Sequence, residues 1–159
     1  MGGGSNRRPY NFNDGAIYDI AKDKWEKIPK APIQGRQYHT CQIYGTKLLV
    51  WGGRSSVGDR AIYDTATGKW KVMVYGPGGR DAPCSKIYGS KLLIWGGRVG
   101  TTFFRDGAIY DMEKDEWEEM PEAPIDGRFW FTPIFSESKL IIWGDQAESQ
   151  NSTTEPFTT

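Results

Sequence analysis

Three stretches of this chain are nearly the same text. KLLVWGGR at 47 to 54 returns as KLLIWGGR at 91 to 98 and as KLIIWGDQ at 139 to 146, so Trp51, Trp95 and Trp143 are spaced by 44 and 48 residues. Other landmarks keep step: AIYD begins at 16, 61 and 108, a Trp flanked by charges stands at Trp25, Trp70 and Trp117, and Gly-Arg recurs at Arg36, Arg80 and Arg128. A period of about 45 residues restricts the chain to propeller blades or helical solenoid units.

The local pattern selects between them. Each repeat holds four short β-type runs separated by turn signals, which describes a small antiparallel meander rather than paired helices. In the best-defined copy these are strand a (Tyr38 to Tyr44), b (Lys47 to Trp51), c (Ala61 to Asp64) and d (Lys69 to Val74). Tyr44-Gly45-Thr46 and Tyr88-Gly89-Ser90 suit a tight a–b hairpin, although the third copy, Ser136-Glu137-Ser138, lacks the glycine. Between c and d, Asp23, Gly68 and Asp115 share one position, a set that tolerates a left-handed backbone. Strand b is apolar on both faces, as in a sheet covered on both sides. Strand d sets one Trp between charges, as an outer edge strand does.

Seven Trp, eight Tyr, seven Phe and 20 Gly among 159 residues fit many strands joined by tight turns. The fold class expected is therefore all-β, with four-stranded antiparallel blades of a β-propeller. At this point the residues resemble the kelch repeat. The resemblance rests on a double glycine after an apolar strand (Gly52-Gly53, Gly96-Gly97) and a Tyr-Asp (Tyr18-Asp19, Tyr63-Asp64, Tyr110-Asp111). A Trp six residues past that Asp and an Arg opening the next repeat complete it, over nearly all of residues 14 to 143. Gly144-Asp145 departs from it, as do Asp81-Ala82-Pro83 and Phe129-Trp130-Phe131, where the first copy has Gln37-Tyr38-His39. Gly52, Gly53, Gly96, Gly97, Tyr63, Asp64, Tyr110, Asp111, Trp25, Trp70, Trp117, Arg36, Arg80 and Arg128 recur once per blade and read as framework.

Counting repeats divides the chain as follows. Residues 1–13 form a b–c loop, 14–28 a half blade (c, d), 36–74 and 80–120 complete blades, 128–143 a half blade (a, b), and 144–159 a loop or tail. Three blades per chain fall short of the four or more that close a ring. The expectation is a homodimeric six-bladed ring in which a and b of one copy complete c and d of the other, twice. A piece of a longer kelch protein is the competing account.

The b–c and d–a connections share one end of each meander and hold the long, varied segments. Arg7, Arg8, Tyr10, Phe12, Arg54, Arg60, Arg98, Phe103, Phe104 and Arg105 lie there, with Phe129 and Trp130 just inside the following strand. Arg and aromatic side chains dominate binding hot spots, so this face is the candidate site for a protein or glycan. Alternatively, the aromatics fold back over the core or cover the seam between copies.

Composition narrows the partners further. Twenty basic and 20 acidic residues cancel and no basic run exceeds Arg7-Arg8, which disfavours nucleic acid and anionic membrane as partners. Neither an 18-residue apolar span nor a signal-peptide core is present, so a soluble chain is expected. One histidine, His39, and two cysteines, Cys41 and Cys84, provide no metal set, no disulfide framework and no catalytic triad, and no cofactor is expected. Asp14, Asp59 and Asp106 recur at one position per blade and read as loop caps. A non-enzymatic interaction scaffold is the leading expectation. The kelch resemblance implies one alternative, a sialic acid mutarotase with Tyr38 and His39 near the axis. The same resemblance extends to the copper oxidase of galactose, whose ligand set is missing here.

Overall fold

The computed structural model describes residues 12–54 and 60–144. Among the described residues there are fourteen strands, and each whole repeat forms one antiparallel sheet. β3 (Thr40–Tyr44), β4 (Lys47–Trp51), β5 (Ala61–Asp64) and β6 (Lys69–Val72) make the first four-stranded sheet, in chain order. The second sheet has β7 (Cys84–Tyr88), β8 (Lys91–Trp95), β11 (Gly107–Asp111) and β12 (Glu116–Met120). β1 (Gly15–Asp19) with β2 (Lys24–Ile28), and β13 (Ile134–Ser136) with β14 (Lys139–Ile141), form two-stranded sheets. The b–c connection of the second sheet carries a further hairpin, β9 (Arg98–Val99) and β10 (Thr102–Phe103), which the sequence pattern did not indicate. No helix among the described residues is long and apolar enough to cross a membrane.

Register repeats with the text. Tyr18, Tyr63 and Tyr110 stand opposite Trp25, Trp70 and Trp117, with ring centroids 5.0, 5.1 and 5.1 Å apart. Such tilted cross-strand aromatic pairs stabilise the c–d hairpin beyond simple burial. Lys47 opposes Asp64 and Lys91 opposes Asp111, a favourable charge pairing between b and c. The c–d turn is closed locally. Asp23, Gly68 and Asp115 all take positive φ (52°, 68° and 59°), and the Tyr18 and Tyr110 hydroxyls bond the carboxylates of Asp23 and Asp115. The Asp of each Tyr-Asp accepts from the turn backbone, as in Asp111 with the N–H groups of Glu113 and Lys114.

Two features differ from expectation. Strand a of the first sheet starts at Thr40 rather than Tyr38, because Tyr38 has φ 57° and cannot continue an extended strand. The a–b turn without a glycine is still left-handed, with Glu137 at φ 53°.

The main core lies between the two four-stranded sheets. Leu49, Trp51 and Ile62 of the first meet Leu92, Ile94 and Tyr110 of the second, with Met73 and Met112 completing the cluster. Alternation decides this: Leu49 and Trp51 point toward the second sheet, while Leu48 and Val50 point back toward Ile33 and Trp70. Strand b is thus covered on both faces. A third cluster joins Trp95 and Cys84 to Phe131, Leu140 and Ile142.

Candidate functional site

The once-per-repeat residues interlock neighbouring sheets. Arg36, Arg80 and Arg128 each donate Nη1 to the carbonyl 16 residues on, at Gly52 (2.9 Å), Gly96 (3.2 Å) and Gly144 (2.9 Å). The following Gly53 and Gly97 donate their N–H to the carbonyls of Arg80 and Arg128 in the next sheet, both at 2.7 Å. A Cβ on Gly52 or Gly96 would stand 2.8 or 2.6 Å from those same carbonyl oxygens, so only glycine lets the backbones approach. Trp70 donates Nε1 to the Pro29 carbonyl at 2.7 Å, Trp117 packs beside Trp51 and under Arg60, and Trp25 is exposed. Asp64 and Asp111 sit opposite lysines at the c–d turns, far from the loop end.

On the loop face, Arg7, Arg8 and Tyr10 lie outside the described residues, as does Asp59. The structure brings most of the others together as arginine–aromatic stacks. The Arg98 guanidinium lies 4.4 Å over the Phe129 ring, which meets Phe103 at 5.4 Å. Arg80 lies 4.0 Å over Phe104 and bonds the Asp106 carboxylate at 2.7 Å. Arg54 pairs with Asp81 at 3.3 Å and Arg105 with Glu122 at 2.6 Å, both toward solvent. Buried Arg60 lies 5.5 Å over Trp117 and 5.9 Å over Tyr75. Phe103, Phe104 and Phe129 are half-buried, while Phe12 and Trp130 are open to solvent.

Trp130 meets Tyr38 edge-on at 5.8 Å. Both are exposed and both hold a left-handed backbone, with Ala82 at the same position in the sheet between them. A backbone ladder explains the shared conformation: Ala82 donates to Tyr38, and Trp130 donates to Ala82. Keeping bulky residues there costs about 1–3 kcal/mol each, a strain that clusters at binding surfaces.

Just inside, β3 and β7 meet through polar side chains that sequence reasoning missed. The Thr40 and Ser85 hydroxyls bond each other, and Gln42 donates to Ser85 Oγ at 3.1 Å. These residues sit about 45 positions apart and have no motif, so only the register of two innermost strands reveals them. Cys84 is buried beside them, its thiol pushed up to about 12, and burial also raises Cys41. Burial first, then the nearby Arg36 charge, holds His39 below its usual value. His39 is exposed and also lines a cavity of about 160 Å³ shared with Ile28, Ile33, Leu48, Val50 and Trp70. Among the described residues no group of three or more His, Cys, Asp or Glu side chains could hold a metal. The arrangement offers aromatic faces, arginine donors and hydroxyls, which suits recognition.

Comparison with known proteins gives two matches. The model of the KLHDC2/KLHL20/DRC7 Kelch-repeats domain matches residues 1–155. N-acetylneuraminate epimerase 1 of Escherichia coli O6:H1 is 24% identical over 132 residues, covering 81% of this chain and 32% of the relative. The chain spans about a third of that curated relative's length.

Proposed function

Because the chain belongs to the kelch-repeat family, we propose that it is a non-enzymatic propeller scaffold, built from two copies into a six-bladed ring, whose long-loop face binds a partner protein. The observation that carries the binding reading is the paired display of Tyr38 and Trp130, exposed on strained backbone, with Arg54 bridged to the adjoining Gln37 and Arg98 stacked over the adjoining Phe129. Aromatic and arginine anchors of this type supply most of the energy of protein interfaces. The framework residues are spent in joining sheets and leave the loop end to vary, which is how rigid scaffolds carry function.

The epimerase named as a 24%-identical relative favours a second reading, a sugar site of that kind at the same loop end. One pair of substitutions tests both. Tyr38→Asn with Trp130→Asn keeps residues that tolerate positive φ. The expected result is loss of partner capture with unchanged solution mass and no binding of N-acetylneuraminate by the parent chain. Saturable N-acetylneuraminate binding that disappears in the double variant would replace the scaffold reading with the sugar one.

A further inference from the structure

The two-stranded sheets carry the same text as parts of the four-stranded ones but leave it uncovered. Trp143 is 84% exposed, whereas its counterparts Trp51 and Trp95 are 1% and 2% exposed. Tyr18 is 40% exposed, against 5% for Tyr63 and 1% for Tyr110. Among the described residues β1 pairs only with β2 and β14 only with β13, while β5 and β11 each pair on both sides. Open edges bearing large apolar side chains are what soluble proteins avoid.

The cavity beside β1 has the walls of an indole seat. Trp51 packs on Trp117 and shares a cluster with Met73, and Trp95 packs on Phe131 beside Met120. The counterparts of Trp117 and Met73 one repeat earlier are Trp70 and Ile28, and that of Phe131 two repeats earlier is His39; all three line the 160 Å³ cavity. The cavity opens to solvent and is walled by Ile28, Ile33, Leu48, Val50 and Trp70, with polar groups of Asn13, Gln34 and Arg36 also lining it.

The donor is preformed as well. Gly144 has φ 72°, matching 71° at Gly52 and 69° at Gly96, and its carbonyl already accepts from Arg128. The backbone at Gly144 thus matches that of the whole sheets, although among the described residues no c strand pairs with β14.

We infer that this cavity is the binding site for Trp143 of a second copy, with β14 of that copy added antiparallel to the free edge of β1. The register follows from Trp95 opposite Gly107, Leu93 opposite Ile109 and Lys91 opposite Asp111. It sets Trp143 against Gly15, Ile141 against Ile17 and Lys139 against Asp19, repeating the Lys–Asp pair of both whole sheets. A two-fold axis makes the exchange reciprocal, so each copy donates one indole and receives one. Aromatic side chains bury about 150–250 Å² apiece. Trp143, 84% exposed, would contribute most of the area buried at each seam, with smaller shares from Tyr18 (40%), Ile17 (37%) and Ile141 (42%) and from the walls that receive them. This site rests on the two-copy reading above.

Residues facing each other across an antiparallel pair have Cα atoms about 4.5–5.5 Å apart, within disulfide reach. The test uses Ile17→Cys with Ile141→Cys in a Cys41→Ser background; Cys84, buried with a strongly raised thiol, does not compete. Mild oxidation should give a reducible covalent dimer, and the pair shifted by one, Ile17→Cys with Ile142→Cys, should not. Trp143→Ala, which alters an exposed side chain, should keep the folded spectrum and weaken self-association at least 100-fold by sedimentation. A parent dimer that ignores Trp143→Ala, or cross-links equally in the shifted pair, overturns the site and leaves the two-copy reading intact. A parent chain that sediments at 17.9 kDa at all concentrations overturns both.

Discussion

Arg80 separates the framework role of the recurring arginines from a ligand role. Its side chain is buried, bonds the carbonyls of Gly96 at 3.2 Å and Asp106 at 3.1 Å, pairs with the Asp106 carboxylate and covers the Phe104 ring. Arg80→Met keeps an apolar stem of similar reach and removes every one of these bonds. Hydrogen bonds to a charged donor contribute about 1.5–3 kcal/mol each, and breaking one side of a buried pair costs about 3–5 kcal/mol. Asp106 is more than a third exposed and water recovers part of its loss, so the expected cost is near the lower bound, about 3 kcal/mol. For a chain of this size that lowers Tm by about 6–12 °C. Urea unfolding followed by Trp fluorescence at one protein concentration reads it directly. Arg54→Met is the contrast: its pair with Asp81 is open on the arginine side, so the expected loss is below about 1 kcal/mol. Asp106→Asn and the double variant close a cycle whose coupling should exceed about 1 kcal/mol. Arg80→Met within about 0.5 kcal/mol of the parent would refute the reasoning, since it would leave Arg80 with no framework work to do.

Gly96→Ala must place a Cβ 2.6 Å from the Arg128 carbonyl at φ 69°, and should cost about 3 kcal/mol or more in urea unfolding. Gly45→Ala, left-handed in open space, should cost only the backbone strain of about 1 kcal/mol. Phe104→Ser removes the ring under Arg80 and should lower Tm, whereas Trp130→Ser at the exposed end of the same face should leave it within about 2 °C. Burial and Arg36 depress the folded pKa of His39, so the unfolded chain protonates first and stability falls as pH drops below about 6.5. His39→Gln should remove that decline in a pH series of melts. Asp111, lowered by turn N–H groups, and Asp115, lowered first by Lys71, should hold their contribution down to about pH 4 and lose it below.

What was legible depended on how locally each feature is determined. The hairpins are written in a few residues: Asp23, Gly68 and Asp115 tolerate the left-handed turn that all three adopt, and strand b shows its double burial by lacking a polar face. The left-handed Tyr38, Ala82 and Trp130 have no such signal, because their conformation comes from bonds between sheets about 45 residues apart. The β9–β10 hairpin was hidden for a similar reason, being two residues per strand and too short to show alternation. Loop aromatics were found as a set but not sorted, since Phe104 under Arg80 and Trp130 in solvent differ only in the path of the chain. The Thr40, Gln42 and Ser85 cluster required the approach of two strands that share no motif.

A repeat supplies its own controls, and these give the exposed positions their meaning. The same Trp, followed by the same left-handed glycine, is covered at 51 and 95 and bare at 143. Trp51 and Trp95 end paired strands, whereas Trp143 lies two residues past the end of β14, where no c strand pairs with it among the described residues. The same holds at Tyr18, Tyr63 and Tyr110, where a cross-strand Trp is present each time and only the outer cover changes. Tyr18 lies on β1, and Trp143 two residues past β14, and each of these strands has one edge unpaired among the described residues. Exposed aromatic area and unpaired backbone thus coincide at the two strands joined in the proposed pairing. In the two-copy ring proposed above, the loop ends would close into a full circle of arginines and aromatics only once this strand pairing is made at both seams, which would tie recognition to assembly.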